Sequence, residues 1–85
     1  MSADDFIEII PFTRLSEANR LWADWLQSHG LQESDIREHV EREVGRAEFK
    51  QDVGPAQVGS FSIIRVRRSA LERLLPDEYG GGRRS

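Results

Sequence analysis

Histidines and carboxylates are the side chains of this 85-residue chain that could support acid–base or metal chemistry. The chain has two histidines, His29 and His39, and no cysteine, so carboxylates would have to complete any zinc site. No two candidate ligands occur at a spacing that would present them together. Glu8 is the acid that lies inside an apolar run, but it alternates with Ile7 and Ile9 and is expected to face solvent. We therefore predict no metal site and no cofactor.

Sequence motifs of common enzymes are absent. The chain contains no Gly-x-x-x-x-Gly-Lys phosphate loop, no Gly-x-Ser-x-Gly nucleophile elbow and no His-Glu-x-x-His helix. His29 falls in the last turn of a predicted helix, where we interpret it as a packing residue or a helix-terminal cation. The sequence thus predicts no catalytic residue and a protein that is not an enzyme.

Two tryptophans, Trp22 and Trp25, lie on the same predicted helix. The simplest interpretation is that both indoles fill the core between this helix and a sheet. The alternative is that one indole protrudes as an interface anchor, since tryptophan is enriched at interaction hot spots. Helical angles place Trp25 at the centre of the apolar arc and Trp22 nearer its edge. We therefore expect Trp25 to support folding and Trp22 to contribute more to association.

Three arginines, Arg65, Arg67 and Arg68, cluster at the end of a predicted strand. A basic strip of this kind can hold phosphates. The net charge of the whole chain is −3 and its isoelectric point is about 5.3, which favours a solvated strand end neutralised by nearby acids. These arginines and the two tryptophans are the candidate partner-binding residues.

The elements that must position these side chains begin with a strand and an amphipathic helix. Residues 5–10 include a β-branched apolar run that is predicted to form a strand and to stop at Pro11. Apolar residues at helical spacing predict a helix over residues 14–29. Thr13 or Ser16 is expected to cap its N-terminus, and Gly30 is expected to end it in a Schellman motif.

The remaining elements predict a hairpin and a short helix. Residues 47–53 and 58–67 favour two strands joined near Gly54-Pro55, whereas the thin apolar pattern of residues 35–44 fits either a helix or a strand. The capping box from Ser69 to Glu72 predicts a short helix that stops before residue 76. Residues 1–76 are therefore expected to form one domain, and residues 77–85 a flexible tail.

The fold class predicted from these elements is α+β. A small antiparallel sheet should pack on one amphipathic helix, with a short C-terminal helix added. No apolar run approaches the roughly 18 residues of a membrane span, and the acidic N-terminus differs from a signal peptide. The absence of cysteine suits a reducing compartment, so we expect a cytoplasmic protein without a membrane partner.

One stretch of the chain resembles a known group of proteins. The sequence Phe12-Thr13, followed by Glu17-Ala18-x-x-Leu21-Trp22-x-x-Trp25-Leu26-x-x-His29-Gly30-Leu31, is similar to small uncharacterised proteins encoded by actinobacteria and their bacteriophages. The resemblance is concentrated in residues 12–31 and implies an extended conformation for residues 38–44. The basic strand end at residues 65–68 departs from that pattern. The resemblance supplies no activity.

The sequence leads to two functional hypotheses. The first is a small, phage-encoded, non-enzymatic accessory protein that acts by protein–protein interaction, either with its own copy as a dimer or with a host or phage partner. The alternative is a winged-helix-like DNA-binding regulator, in which residues 35–44 would form the recognition helix and the hairpin the wing. That helix would carry Asp35, Glu38, Glu41 and Glu43, which DNA phosphates would repel. Nucleic acid is therefore the less favoured partner.

Overall fold

The protein has an α+β fold, as the sequence predicts. A computed structural model describes residues 5–79, which form a three-stranded antiparallel sheet, a long helix packed on one face of it, and short helices at the C-terminal end. In chain order the elements are β1 (Phe6–Arg14), α1 (Leu15–Ser28), α2 (Glu33–Ile36), a 3₁₀ turn (Arg37–His39), β2 (Val40–Phe49), β3 (Gln57–Arg67), α3 (Arg68–Leu74) and α4 (Pro76–Tyr79). No helix among these residues has the length and apolar character needed to cross a membrane.

The sheet has the strand order β1-β3-β2, so β3 is central and the other two strands form its edges. The hairpin of β2 and β3 pairs without interruption from Val40 opposite Val66 to Phe49 opposite Gln57. Residues 50–56 connect the two strands. The predicted turn at Gly54 is confirmed, since this residue has a φ of 88°, which favours glycine.

The first strand is longer than predicted. It continues through Pro11 to Arg14, although we expected Pro11 to end it. Proline removes one backbone donor, but β1 is an edge strand and its pairing with β3 shifts between Ile10 and Thr13. An edge strand tolerates a missing donor at such an irregularity. The prediction that the strand stops at Pro11 is therefore wrong.

The second strand occupies a segment that the sequence left open. Residues 33–39 form two short helical turns that bury Ile36, and β2 then begins at Val40. We predicted this strand over residues 47–53, so both of its boundaries are wrong. Five charged residues between 41 and 48 obscure the apolar alternation, because β2 is an edge strand and most of its side chains are exposed.

The long helix α1 ends as predicted but begins differently. At its C-terminus, Gly30 has a φ of 69°, the Leu31 N–H donates to the Leu26 carbonyl (2.9 Å), and the Gly30 N–H donates to the Gln27 carbonyl (3.1 Å). These bonds are those of a Schellman motif. At its N-terminus, Arg14 is the N-cap, and the helix has no side-chain capping hydrogen bond within residues 5–79. Thr13 cannot act as predicted because it remains in β1.

The core lies between α1 and the adjacent face of the sheet. Its buried members are Ile10, Ala18, Trp22, Leu26, Ile36, Ile64, Val66 and Leu71. Trp22 is only 4% exposed, whereas Trp25 is partly buried and packs against the core from one side. The helical angles led to the opposite assignment of the two indoles. The sheet contacts the row formed by residues 18, 22 and 26, so the true centre of the buried face lies at Trp22.

The C-terminal segment is more ordered than predicted. A short helix, α3, follows β3 directly, and its first backbone N–H, that of Arg68, donates to the Asp5 carbonyl (2.7 Å). The predicted capping box is absent, because α3 has no side-chain cap. Residues 76–79 form the additional helix α4, and Tyr79 packs against the core. The predicted flexible tail is thus corrected for residues 77–79, and residues 80–85 lie outside the described part of the chain.

Candidate protein-interaction surface

The two faces of the sheet have different surroundings. Alternate residues of β3, such as Ile64 and Val66, are buried against the helical layer. The intervening residues, among them Phe61 and Ile63, point to the opposite face because side chains alternate along a strand. Among residues 5–79, the core residues of α1 and α3 cluster with Ile64 and Val66 on the buried face, whereas Phe12, Glu41 and Glu43 on the second face are exposed. We call this second face the open face.

Three phenylalanines, one from each strand, meet on the open face. Phe12 from β1 lies 4.7 Å from Phe61 of β3 and 5.7 Å from Phe49 of β2, measured between ring centroids. Phe12 is 49% exposed, and the other two rings are partly buried by their neighbours. These residues form the aromatic cluster, which presents a contiguous apolar surface to solvent.

Two glycines in the hairpin give the rings of the aromatic cluster their position. Gly45 pairs with Phe61, and a Cβ atom at Gly45 would lie 2.7 Å from Cε2 of that ring. No side chain at position 45 can therefore coexist with the ring in this position. A Cβ at Gly59 would contact the Phe49 ring at 3.6 Å. Glycine in a strand often marks such a close approach, and here it lets the ring of Phe61 extend over β2.

A cation borders the aromatic cluster. The Arg14 guanidinium lies 4.3 Å from the centroid of the Phe49 ring, within the range of a cation–π interaction. Arg14 also pairs with Phe61 across the strands. The guanidinium therefore lies beside the rings on the solvent-exposed margin of the cluster. The cluster therefore has an apolar centre with a charged residue at its margin.

The opposite end of the open face is charged. Arg65 lies directly across from Glu8 on one side and Glu41 on the other, and its Nη2 is 3.3 Å from Oε1 of Glu43. Glu43 thus forms an ion pair with Arg65, and two further acids occupy the neighbouring positions on the flanking strands. This arrangement agrees with the interpretation of Arg65 as a neutralised strand end.

The other two predicted arginines lie in different settings. The Arg67 guanidinium is 5.1 Å from the centroid of the Phe6 ring, on the same face as Arg65. Arg68 is exposed and already belongs to α3. The structure therefore places Arg65 and Arg67 together but does not extend them into a continuous basic strip.

The two tryptophans lie on the far side of the sheet from the open face. Their rings stack with a centroid distance of 5.4 Å and an interplanar angle of 7°, and Trp25 also contacts the ring of His29 (4.6 Å). Trp22 is enclosed in the core, so it is not available as an anchor in this conformation. The candidate tryptophans and the candidate arginines Arg65 and Arg67 therefore lie on opposite faces of the sheet.

His29 joins the end of α1 to the C-terminal helices. Its Nδ1 lies 2.9 Å from the Trp25 carbonyl oxygen, and its Nε2 lies 2.9 Å from a carboxylate oxygen of Glu78. The hydrogen bond to the Trp25 carbonyl, together with the Glu78 carboxylate, raises the pKa of His29 above its usual value, and partial burial opposes this increase. Both ring nitrogens face acceptors, so the protonated imidazole can satisfy both contacts. The histidine therefore acts as a structural link.

Sequence reasoning did not identify the aromatic cluster. Phe12 lies after Pro11, where the strand was expected to have ended, so its strand position was missed. Gly45 and Gly59 were the available signal, because glycines within strands mark close contacts. Among residues 5–79, no group of three or more histidine, aspartate or glutamate side chains lies close enough together to hold a metal ion.

Comparison with known proteins adds no assignment to this surface. No protein-family model matches the chain, and no curated protein and no solved structure shows significant similarity to it.

Proposed function

We propose that this chain is a non-enzymatic accessory protein that binds a protein partner through the open face of its sheet. The observation that carries the proposal is the uncovered aromatic cluster, with Phe12 about half exposed at its centre. Exposed apolar patches on small domains commonly mark interaction sites.

The composition of the open face supports a protein partner. Interfaces combine an apolar, aromatic centre with a polar rim, and arginine is enriched among the residues that contribute most to binding. Here the phenylalanines form the centre, with Arg14 on one side and the ion pair of Arg65 and Glu43 on the other. The rings also rest on glycine backbone or on one another, so less side-chain entropy is lost on binding.

The sequence resemblance at residues 12–31 extends this proposal to a biological setting. We propose a phage-encoded protein that acts in the cytoplasm of an actinobacterial host. Its partner is a host protein, a phage protein or a second copy of the same chain.

Nucleic acid binding is the second candidate, favoured by the same rings. Aromatic side chains on a sheet can stack with unpaired bases, but such sites also need a positive groove along the backbone. On the open face, the arginines at positions 14, 65 and 67 are balanced by glutamates at positions 8, 41 and 43. A winged-helix mode has less support, since residues 33–39 form two short turns in place of a recognition helix.

Photo-cross-linking in cells that naturally make the protein tests the proposal. A photoreactive phenylalanine analogue replaces Phe12 in one variant and Gln27, which is exposed on α1, in a matched control. We expect position 12 to give a discrete adduct with another polypeptide. Position 27 should give no adduct of the same mass. An adduct that nuclease removes would support the second candidate. Equal adducts from both positions, or none from position 12, would contradict binding at the open face.

A further inference from the structure

We propose that two copies of this chain pair through their β2 edges, in the antiparallel register that places Gly45 opposite Gly45 of the second copy. This inference goes beyond the proposed function, because it adds a second interface, at the edge of the sheet, through which two open faces would be joined. The two β2 strands would join two three-stranded sheets into one of six strands.

The two edges of the sheet differ in their suitability for pairing. The β1 edge is interrupted by Pro11 and by two irregularities of register, which are features that protect edges from association. The β2 edge is ten residues long and contains no proline, and its ladder with β3 has no irregularity. Within residues 5–79, no strand pairs with the outer side of β2. This edge can therefore accept a strand by β-augmentation.

Symmetry limits the ways in which two β2 strands can pair. A two-fold axis perpendicular to the sheet makes the strands antiparallel and places α1 of both copies on the same side. Residues directly opposite each other then project from the same face. Because side chains alternate, two residues that lie opposite each other must be an even number of positions apart in the sequence. The axis therefore passes beside one residue, which faces its own copy and is the centre of the register. Four such registers pair seven or more residues of β2, with their centres at positions 43, 44, 45 and 46.

Charge selects one of these four registers. Centres at 43 and 46 place Glu43 and Arg46, respectively, opposite their own copies, and a centre at 44 places Arg42 opposite Arg46. Only the centre at Gly45 has no like charges directly opposite. It also places Arg42 opposite Glu48, and the symmetry makes this favourable pair occur twice. Charges along an edge usually discourage pairing, but in this register they favour it.

The position of Phe61 is consistent with the same centre. Its ring leans over Gly45 towards the β2 edge, where a Cβ would lie 2.7 Å from Cε2. At the proposed axis two glycines meet, so the Phe61 rings of both copies would extend towards each other across bare backbone. The two aromatic clusters would then form one continuous surface on the open face of the six-stranded sheet.

Analytical ultracentrifugation of the full chain with charge-exchange variants tests this register. We expect wild type to show a concentration-dependent monomer–dimer equilibrium. Arg42→Glu and Glu48→Arg should each weaken dimerisation by at least about five-fold, because each change creates two like-charge pairs. The double variant Arg42→Glu/Glu48→Arg should restore the wild-type dissociation constant to within about three-fold.

Two controls make this result specific. Glu72→Arg makes the same charge change as Glu48→Arg but lies on α3, so it should leave dimerisation unchanged. Arg42 also donates to Asn19 (2.7 Å), so circular dichroism must confirm that each variant is folded. A wild type that stays monomeric up to about 1 mM, near the weak end of specific binding, would overturn the inference. A dimer that the double variant fails to restore would also overturn it.

Failure of this inference can be distinguished from failure of the proposed function. If the protein is monomeric but position 12 still gives its adduct, only β2 pairing is excluded. If charge exchange restores the dimer but position 12 gives no adduct, β2 pairing stands and partner binding through the aromatic cluster is excluded.

Discussion

Replacing each tryptophan with alanine should destabilise the protein to clearly different degrees. Trp22 is 4% exposed and belongs to the core, so Trp22→Ala should cost about 3–5 kcal/mol from lost transfer energy and the resulting cavity. Trp25 is partly buried, so Trp25→Ala should cost about half as much, roughly 1.5–2.5 kcal/mol. At about 0.05–0.15 kcal/mol per residue, the whole chain has about 4–13 kcal/mol of stability. Loss of Trp22 therefore removes a large fraction of it.

Far-ultraviolet circular dichroism is the appropriate assay, since the backbone of the helices and strands dominates the signal and each variant is followed through its own transition. In thermal melts, Trp22→Ala should lower the midpoint by more than about 12 °C, and Trp25→Ala by about half as much. Gln27→Ala, an exposed change on the same helix, should leave the midpoint nearly unchanged. A larger loss for Trp25→Ala than for Trp22→Ala would refute the burial argument and restore the assignment made from helical angles.

Three further changes test particular contacts. Because the folded-state pKa of His29 is raised, the stability that its protonated ring contributes is complete below a pH of about 6.5 and is lost as pH rises through the folded pKa. In urea titrations, the stability advantage of wild type over His29→Gln should therefore fall as pH rises over that range. Glu78→Gln should reduce the pH dependence, because it removes the carboxylate beside the ring. Ser62→Ala should leave urea stability unchanged or raise it by up to about 1–3 kcal/mol, because the buried hydroxyl has no hydrogen-bond partner among residues 5–79. A clear loss of stability would show that this group is satisfied. Gly45→Ala should lower the thermal midpoint, because its Cβ would displace the Phe61 ring; an unchanged midpoint would contradict that contact.

Local signals in the sequence predicted the fold class and several boundaries. The helix period, Gly30 and the strong β3 pattern each reflect an interaction within a few residues, and the structure confirms them. The start of β2 was not predictable in this way. Its side chains are mostly charged, and its strand conformation depends on pairing with β3, which a local pattern does not report.

The candidate surface was harder to predict than the fold. Phe12 and Phe49 are distant in sequence. They meet because β1 and β2 both pair with β3, and the C-terminal ends of β1 and β2 lie at the same end of the sheet. Helical angles identified the apolar arc of α1 but not which part of it the sheet would cover. The predicted order of burial of the two indoles was therefore reversed. Tertiary register decides both outcomes.

Fluorine NMR of protein labelled with fluorophenylalanine tests the open face most directly. The chain has four phenylalanines, so each signal can be assigned by single Phe→Tyr substitutions. Three of the signals report the aromatic cluster. The fourth, from Phe6, reports the charged end of the open face beside Arg67 and serves as an internal control. On addition of extract from cells that naturally make the protein, we predict that the cluster signals shift or broaden while the Phe6 signal does not. A perturbed Phe6 with unchanged cluster signals would contradict the proposed interaction surface.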